Sequence, residues 1–250
     1  MGKKTTDELL YEIMADLDAR KPTSPDKLKR KVMILSTPRS GSTLFCDSLN
    51  RTKQLGECRE WFNLRYISAY AQLKQISSIN FQDYFYFIVT QTLRGTDTLV
   101  VNMHIDQHQS LIQQNLDPFG FRFDEVFYIN RKNKLRQAVS LARAWQTDQW
   151  GADTKAKNPE PEALNPALIS QALNMLLSNE HFYRENLRKL VSLEFDYEVF
   201  RDLDNPEGLP KLFGLLGLKV DTETTTDMKK QSDRLSDEAY SHFLAYIQGK

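Results

Sequence analysis

One stretch constrains the fold more than any other: the apolar run Val32 to Ser36, followed at once by Thr37-Pro38-Arg39-Ser40-Gly41-Ser42-Thr43. A short run of large aliphatic residues with no polar alternation reads as a strand covered on both faces. It passes through a Ser/Gly turn into a helical pattern near Thr43 to Leu49. Strand, tight loop and helix in that order open a parallel α/β sheet. At such a junction the free N–H groups of the first helical turn and the helix dipole converge on one point, which suits an anion. Gly41 allows close backbone approach, Ser40, Ser42 and Thr43 offer hydroxyls, and Arg39 offers a planar fork of donors. A plain strand-to-helix turn would need the capping serines but not the arginine, so the loop reads as an anion site.

The rest of the chain repeats the alternation. Further strands are expected at Leu99 to Met103, Glu125 to Ile129 and Val191 to Phe195. Helices are expected at about Lys134 to Trp145, Leu168 to Leu190, Leu209 to Leu216 and Asp237 to Ile247, with a weaker helical pattern from Asn80 to Leu93. The fold class is α/β: a P-loop-like parallel sheet of about four to five strands with helices on both faces. Residues 6 to 19 place Leu9, Leu10, Ile13, Met14 and Leu17 on one helical face, and a proline-interrupted polar linker follows. This divides the chain into an N-terminal helix and linker (1–30) and a main domain (31–250). The helix is expected to pack on its own domain, a homodimer contact being its other use. The long polar segment from Gly151 to Pro166 reads as a lid or binding loop.

Composition excludes several classes. Lysine plus arginine number 33 and aspartate plus glutamate also 33, so no overall positive field favours nucleic acid or a membrane surface. An anionic ligand must then be held by local charge. The two cysteines, Cys46 and Cys58, make neither a metal-type pair nor a disulfide framework. No stretch is long enough for a membrane span, no signal-peptide core is present, and the match of Met1 to Thr6 to a myristoylation pattern is taken as chance. A cytoplasmic location is expected. The loop also lacks the lysine of a Walker A motif, and no strand ends in an aspartate placed for magnesium. That argues against a kinase and for transfer of a less charged group that needs no metal.

Four blocks of the chain resemble the PAPS-dependent sulfotransferases, most nearly the bacterial trehalose 2-sulfotransferase family, also labelled lipopolysaccharide-type; PAPS is 3'-phosphoadenosine-5'-phosphosulfate. They are the loop Thr37 to Thr43, Gly56-Glu57-Cys58-Arg59-Glu60-Trp61-Phe62, the run Ile129 to Trp150, and Lys230 to Glu238. The resemblance implies a sulfuryl transfer from PAPS to a hydroxyl of a carbohydrate or glycolipid. It assigns the 5'-phosphosulfate to Arg39, Ser40, Gly41, Ser42 and Thr43, and the 3'-phosphate to Arg131 and Ser140. It assigns Lys230, Gln231 and Ser232 to a loop closing over the nucleotide, and it implies no metal.

An attacking hydroxyl needs a base. The resemblance points to Glu60, while His104, at the end of the second strand, matches the histidine base of the wider family. Glu60 is the preferred base, with His104 orienting the acceptor and Arg39 assisting at the transferred group. Asn102 stands where the wider family has a lysine. The aromatic residues Trp61, Phe62, Tyr66, Tyr70, Trp145 and Trp150 suit stacking on a sugar, although the same spacing suits a core. The competing readings are a small P-loop kinase and a nucleotide-binding module without catalysis.

Overall fold

Period-two alternation within strands covered on both faces sets the architecture. The computed structural model describes residues 4–151, 154, 156–158, 163–202, 205, 207–219 and 234–247. Strands β1 (Arg30–Ser36), β2 (Thr98–His104), β3 (Glu125–Asn130) and β4 (Leu193–Asp196) form one parallel sheet in the order β2-β1-β3-β4. On β1, Met33 and Leu35 face one apolar cluster, shared with Val101, Met103, Val126 and Tyr128. Val32 and Ile34 face the other, shared with Val100, Phe127 and Ile129. All four β1 side chains are fully buried, each contributing roughly 1.5–3 kcal/mol.

Helices close both faces. The first cluster is covered by α1 (Thr6–Asp18), α3 (Leu64–Lys74) and α4 (Phe81–Thr92); the second by α2 (Ser42–Thr52) and, later in the chain, by Leu209–Leu215. Next come α5 (Ile105–Gln113), α6 (Lys134–Thr147), α7 (Pro166–Phe182), the single turn α8 (Tyr197–Phe200), α9 (Leu209–Leu215) and α10 (Arg234–Ile247). Helices α6, α7 and α10 build a third cluster around Leu141, Ile169, Leu176 and Phe243. Among the described residues no helix is long and apolar enough to cross a membrane.

Helix α1 starts with a capping box between Thr5 and Glu8 and buries Met14 and Leu17. It docks on its own chain: Arg65 pairs with Asp7 at 2.6 Å, Lys74 with Asp18 at 2.5 Å, and Arg20 reaches Glu57 at 2.8 Å. Arg59 and Arg94 also contact Glu57. Burial alone would raise the Glu57 pKa, but the three arginines together hold it below the usual glutamate value.

Three helices, α3, α5 and the single turn α8, are not expected from the sequence pattern. The segment that becomes α3 was read for its aromatic residues, and α5 follows β2 with no glycine or proline between them. The run Leu168 to Leu190, read as one helix, is three pieces: α7 ends at Phe182, a π-turn spans Tyr183–Leu187 and a 3-10 turn spans Arg188–Leu190.

Candidate active site

The sheet register brings the site together. Ser36 at the end of β1 lies level with His104 on β2 and Ile129 on β3. The loop after β1, the end of β2 and Arg131 after β3 therefore emerge at one edge. The chain leaves β1 for β2 on one side and β3 on the other, and ligands in open α/β sheets bind at such a switch point.

The loop is a strained turn held from outside. Arg39 (φ 62°) and Gly41 (φ 93°) both lie in the left-handed region. A side chain at Gly41 would put its Cβ 2.2 Å from Cδ2 of Tyr197, so the position needs glycine for conformation and for space. Gln137, fully buried on α6, donates to Thr37 Oγ1 at 2.8 Å and to the Pro38 carbonyl at 2.7 Å. This clamp fixes the curl that sends the backbone into α2. Thr43 is exposed on the first turn of α2, whereas Ser40 and Ser42 are buried.

Arg39 and Arg131 meet inside the turn. Arg39 Nε donates to Ser140 Oγ at 2.9 Å and its Nη1 to the Trp150 carbonyl at 2.8 Å. Arg131 Nη1 donates to the Arg39 carbonyl at 2.9 Å, and its guanidinium lies 4.9 Å from the centre of the Tyr197 ring. Tyr197 thus walls both Gly41 and Arg131. Burial, followed by repulsion from Arg131, pushes the Arg39 pKa down to about 10, with Arg143 adding and Glu60 opposing. Burial also lowers Arg131. Both remain cations at neutral pH, and an anion between them would offset their mutual repulsion. Arg131 Nε and Ser40 Oγ are buried without hydrogen-bond partners. Buried polar atoms are rarely left so, and these two fit the oxygens of a phosphate or sulfate.

The two candidate bases are neighbours. A short stretch before Trp61 lies along β2: Arg59 bridges to Val101, and the Asn102 N–H donates to the Arg59 carbonyl at 3.0 Å. Asn50 on α2 brackets Cys58 through both of that residue's backbone groups, at 2.7 and 2.9 Å, and the Cys46 and Cys58 thiols, both buried and free, touch at 2.8 Å. The stretch sets Glu60 beside the end of β2, with its Oε1 3.6 Å from His104 Nε2. That nitrogen lies 3.3 Å from Ser42 Oγ at the start of α2. Asn63 and Gln107 donate to Glu60 Oε2 at 3.2 and 2.7 Å.

Other expectations fall elsewhere: one strand, β4, does end in an aspartate, but Asp196 pairs with Lys132 at 2.7 Å. Asn102 is buried, and its Oδ1 accepts from Ser36 Oγ at 3.0 Å, so it ties β2 to β1 instead of supplying a charge. Trp61, Phe62, Tyr66 and Tyr70 are buried in the first core cluster and are not a sugar platform. Trp145 and Trp150 both pack against the third cluster, and Trp150 also borders the loop through its carbonyl. Lys230, Gln231 and Ser232 lie outside the described residues. Sequence reading passed over Gln137 and Gln107. Gln137 sits inside the quoted Ile129 to Trp150 block, but no local signal marks its buried clamp.

The chain is similar to known sulfotransferases. The model of the Stf0 sulphotransferase family matches residues 31–245. Among solved structures, a sulfotransferase domain from the Synechococcus PCC 7002 olefin synthase is similar, with a TM-score of 0.52 and 16% identity, covering 92% of this chain and 87% of that one. A sulfotransferase domain from the curacin biosynthetic pathway gives a TM-score of 0.46 and 15% identity, covering 85% and 83%. No curated protein sequence matches the chain.

Proposed function

The chain belongs to the Stf0 sulphotransferase family, the trehalose 2-sulfotransferase family, and on that premise we propose that it moves the sulfuryl group of PAPS to a carbohydrate hydroxyl. It is a sulfotransferase. The observation that carries it is the pair of mutually repelling, half-buried arginines, Arg39 and Arg131, with Arg131 Nε and Ser40 Oγ of the loop before α2 both buried without a hydrogen-bond partner.

PAPS supplies the sulfuryl group when bound. Arg39, Ser40, Ser42 and the N–H groups after Gly41 would hold its 5'-phosphosulfate. Arg131, with Ser140 behind Arg39, would hold the 3'-phosphate, and Lys230, Gln231 and Ser232 would close over the nucleotide. Glu60 accepts the proton of the attacking hydroxyl, and His104 donates a hydrogen bond that orients it. Arg39 stabilises charge on the leaving oxygen, the work that a lysine at position 102 would do. The family match begins at residue 31, which supports residues 31–250 as the catalytic domain and 1–30 as a docked arm.

Incubation with PAPS and a panel of mono- and disaccharides tests the acceptor class. A sulfated sugar and release of 3',5'-adenosine bisphosphate (PAP) are expected. Transfer to phenols or amines, with none to sugars, would contradict it.

A further inference from the structure

His104 and Glu60 lie within reach of the same proton, and the structure contains a group that divides the roles between them. Gln107, in the first turn of α5, touches both. Its Oε1 accepts from the His104 backbone N–H at 3.1 Å, and its Nε2 donates to Glu60 Oε2 at 2.7 Å. A backbone N–H can only donate and a carboxylate can only accept, so the two contacts independently set the same orientation of the amide. The Gln107 Nε2 also lies 3.3 Å from His104 Nδ1. The capping box at the start of α5 turns the Gln107 backbone N–H toward the same ring.

A ring nitrogen that faces N–H donors must offer its lone pair. The proton of the neutral imidazole then sits on Nε2, the atom 3.3 Å from Ser42 Oγ and 3.6 Å from Glu60 Oε1. We propose that Gln107 is a positioning residue that locks His104 in the Nε2–H tautomer, so that the histidine enters the site as a donor and Glu60 alone presents a lone pair. The inference rests on the reading of Glu60 as base and explains why two adjacent bases are not redundant. It also gives the amide side chain of Gln107 a function that helix capping alone would not require.

Other charged and titratable groups act on this pair from several elements. Asp106 on α5 interacts with both, Arg39 in the loop with Glu60, and Tyr66 on α3 and Cys46 on α2 with Glu60. Arg39 attracts the Glu60 side chain, and Asp106 repels it. None of these four groups fixes which ring nitrogen carries the proton, as the Gln107 amide does.

The tautomer is read directly by long-range proton–nitrogen correlation NMR on ligand-free protein at pH 8, with the His104 signals assigned by their loss in His104→Gln. Wild type should show a protonated Nε2 and a bare Nδ1. Gln107→Leu, which removes the side-chain donor and brings no second carboxylate up to Glu60, should let the Nδ1–H form appear beside the Nε2–H form. Gln107→Ala should lower kcat about tenfold with an unchanged KM for PAPS. A protonated Nδ1 in wild type overturns the proposal, whether or not the variants fold. So does a Gln107→Leu protein in which His104 stays wholly in the Nε2–H form. If Glu60→Gln retains activity while His104 carries its proton on Nε2, the choice of base fails and the tautomer assignment stands.

Discussion

Replacing Arg131 with methionine separates nucleotide recognition from stability. Methionine keeps an unbranched stem against Tyr197 and removes the guanidinium. The ligand-free fold loses one hydrogen bond to the Arg39 carbonyl and one cation–ring contact, together about 1–2 kcal/mol. It also loses the repulsion that Arg131 exerts on the half-buried Arg39. The two effects oppose each other, so the urea midpoint should shift little. The 3'-phosphate, in contrast, would lose a charge-assisted donor fork worth about 1.5–3 kcal/mol, or roughly a 10- to 150-fold weaker Kd. Calorimetry should show that loss for PAP, and near-normal binding for adenosine 5'-phosphosulfate, which has no 3'-phosphate. Equal losses for the two nucleotides would refute the assignment of Arg131 to that phosphate.

Glu60→Gln keeps the size and hydrogen-bonding reach of the side chain and removes its basicity. Turnover should fall by about 10²–10⁴ with PAP affinity unchanged, as single-turnover kinetics and calorimetry would show. Gly41→Ala meets both a left-handed backbone and the Tyr197 ring, so a loss of about 1–3 kcal/mol in the denaturation midpoint and of PAP binding is expected. Glu57 gives a pH dependence with a definite sign. Its folded pKa lies below its unfolded value, so its stabilisation is full above about pH 4.5 and is lost as pH falls through the lower folded value. Glu57→Gln should cost about 1–2 kcal/mol at pH 7, because it removes a shared partner of three arginines of which Arg20 keeps Asp16 while Arg59 and Arg94 stay partly exposed, and the gap to wild type should close in acid.

Sequence revealed the sheet more readily than the site. Four apolar runs sit between turn residues, and each became a strand within two residues of its expected ends. The strand–loop–helix at Val32 to Leu49 carries its signal locally, because Arg39, Gly41 and the serines are contiguous. Residues that act across the fold left no such trace. Gln137 reads as an ordinary helical polar residue until α6 is laid against the loop. Gln107 reads the same way until β2 delivers His104 to its side. The aromatic run Trp61 to Tyr70 was ambiguous because stacking on a sugar and packing in a core select the same side chains. Only the tertiary position decides, and here the rings point into the first cluster. Asn102 likewise reads as a substitution in a catalytic pattern, but its amide bonds Ser36 across the sheet.

We propose that this edge of the sheet holds a 3',5'-bisphosphorylated adenosine through Arg39, Arg131, the loop serines and backbone N–H groups, without a divalent metal. Thermal denaturation with PAP in the presence of EDTA, against ATP with magnesium, tests it without knowledge of the acceptor. PAP at about 100 times its Kd should stabilise the protein by roughly 2.7 kcal/mol with no divalent metal, and ATP with magnesium should do less. Stabilisation by ATP with magnesium and none by PAP in EDTA would contradict the account.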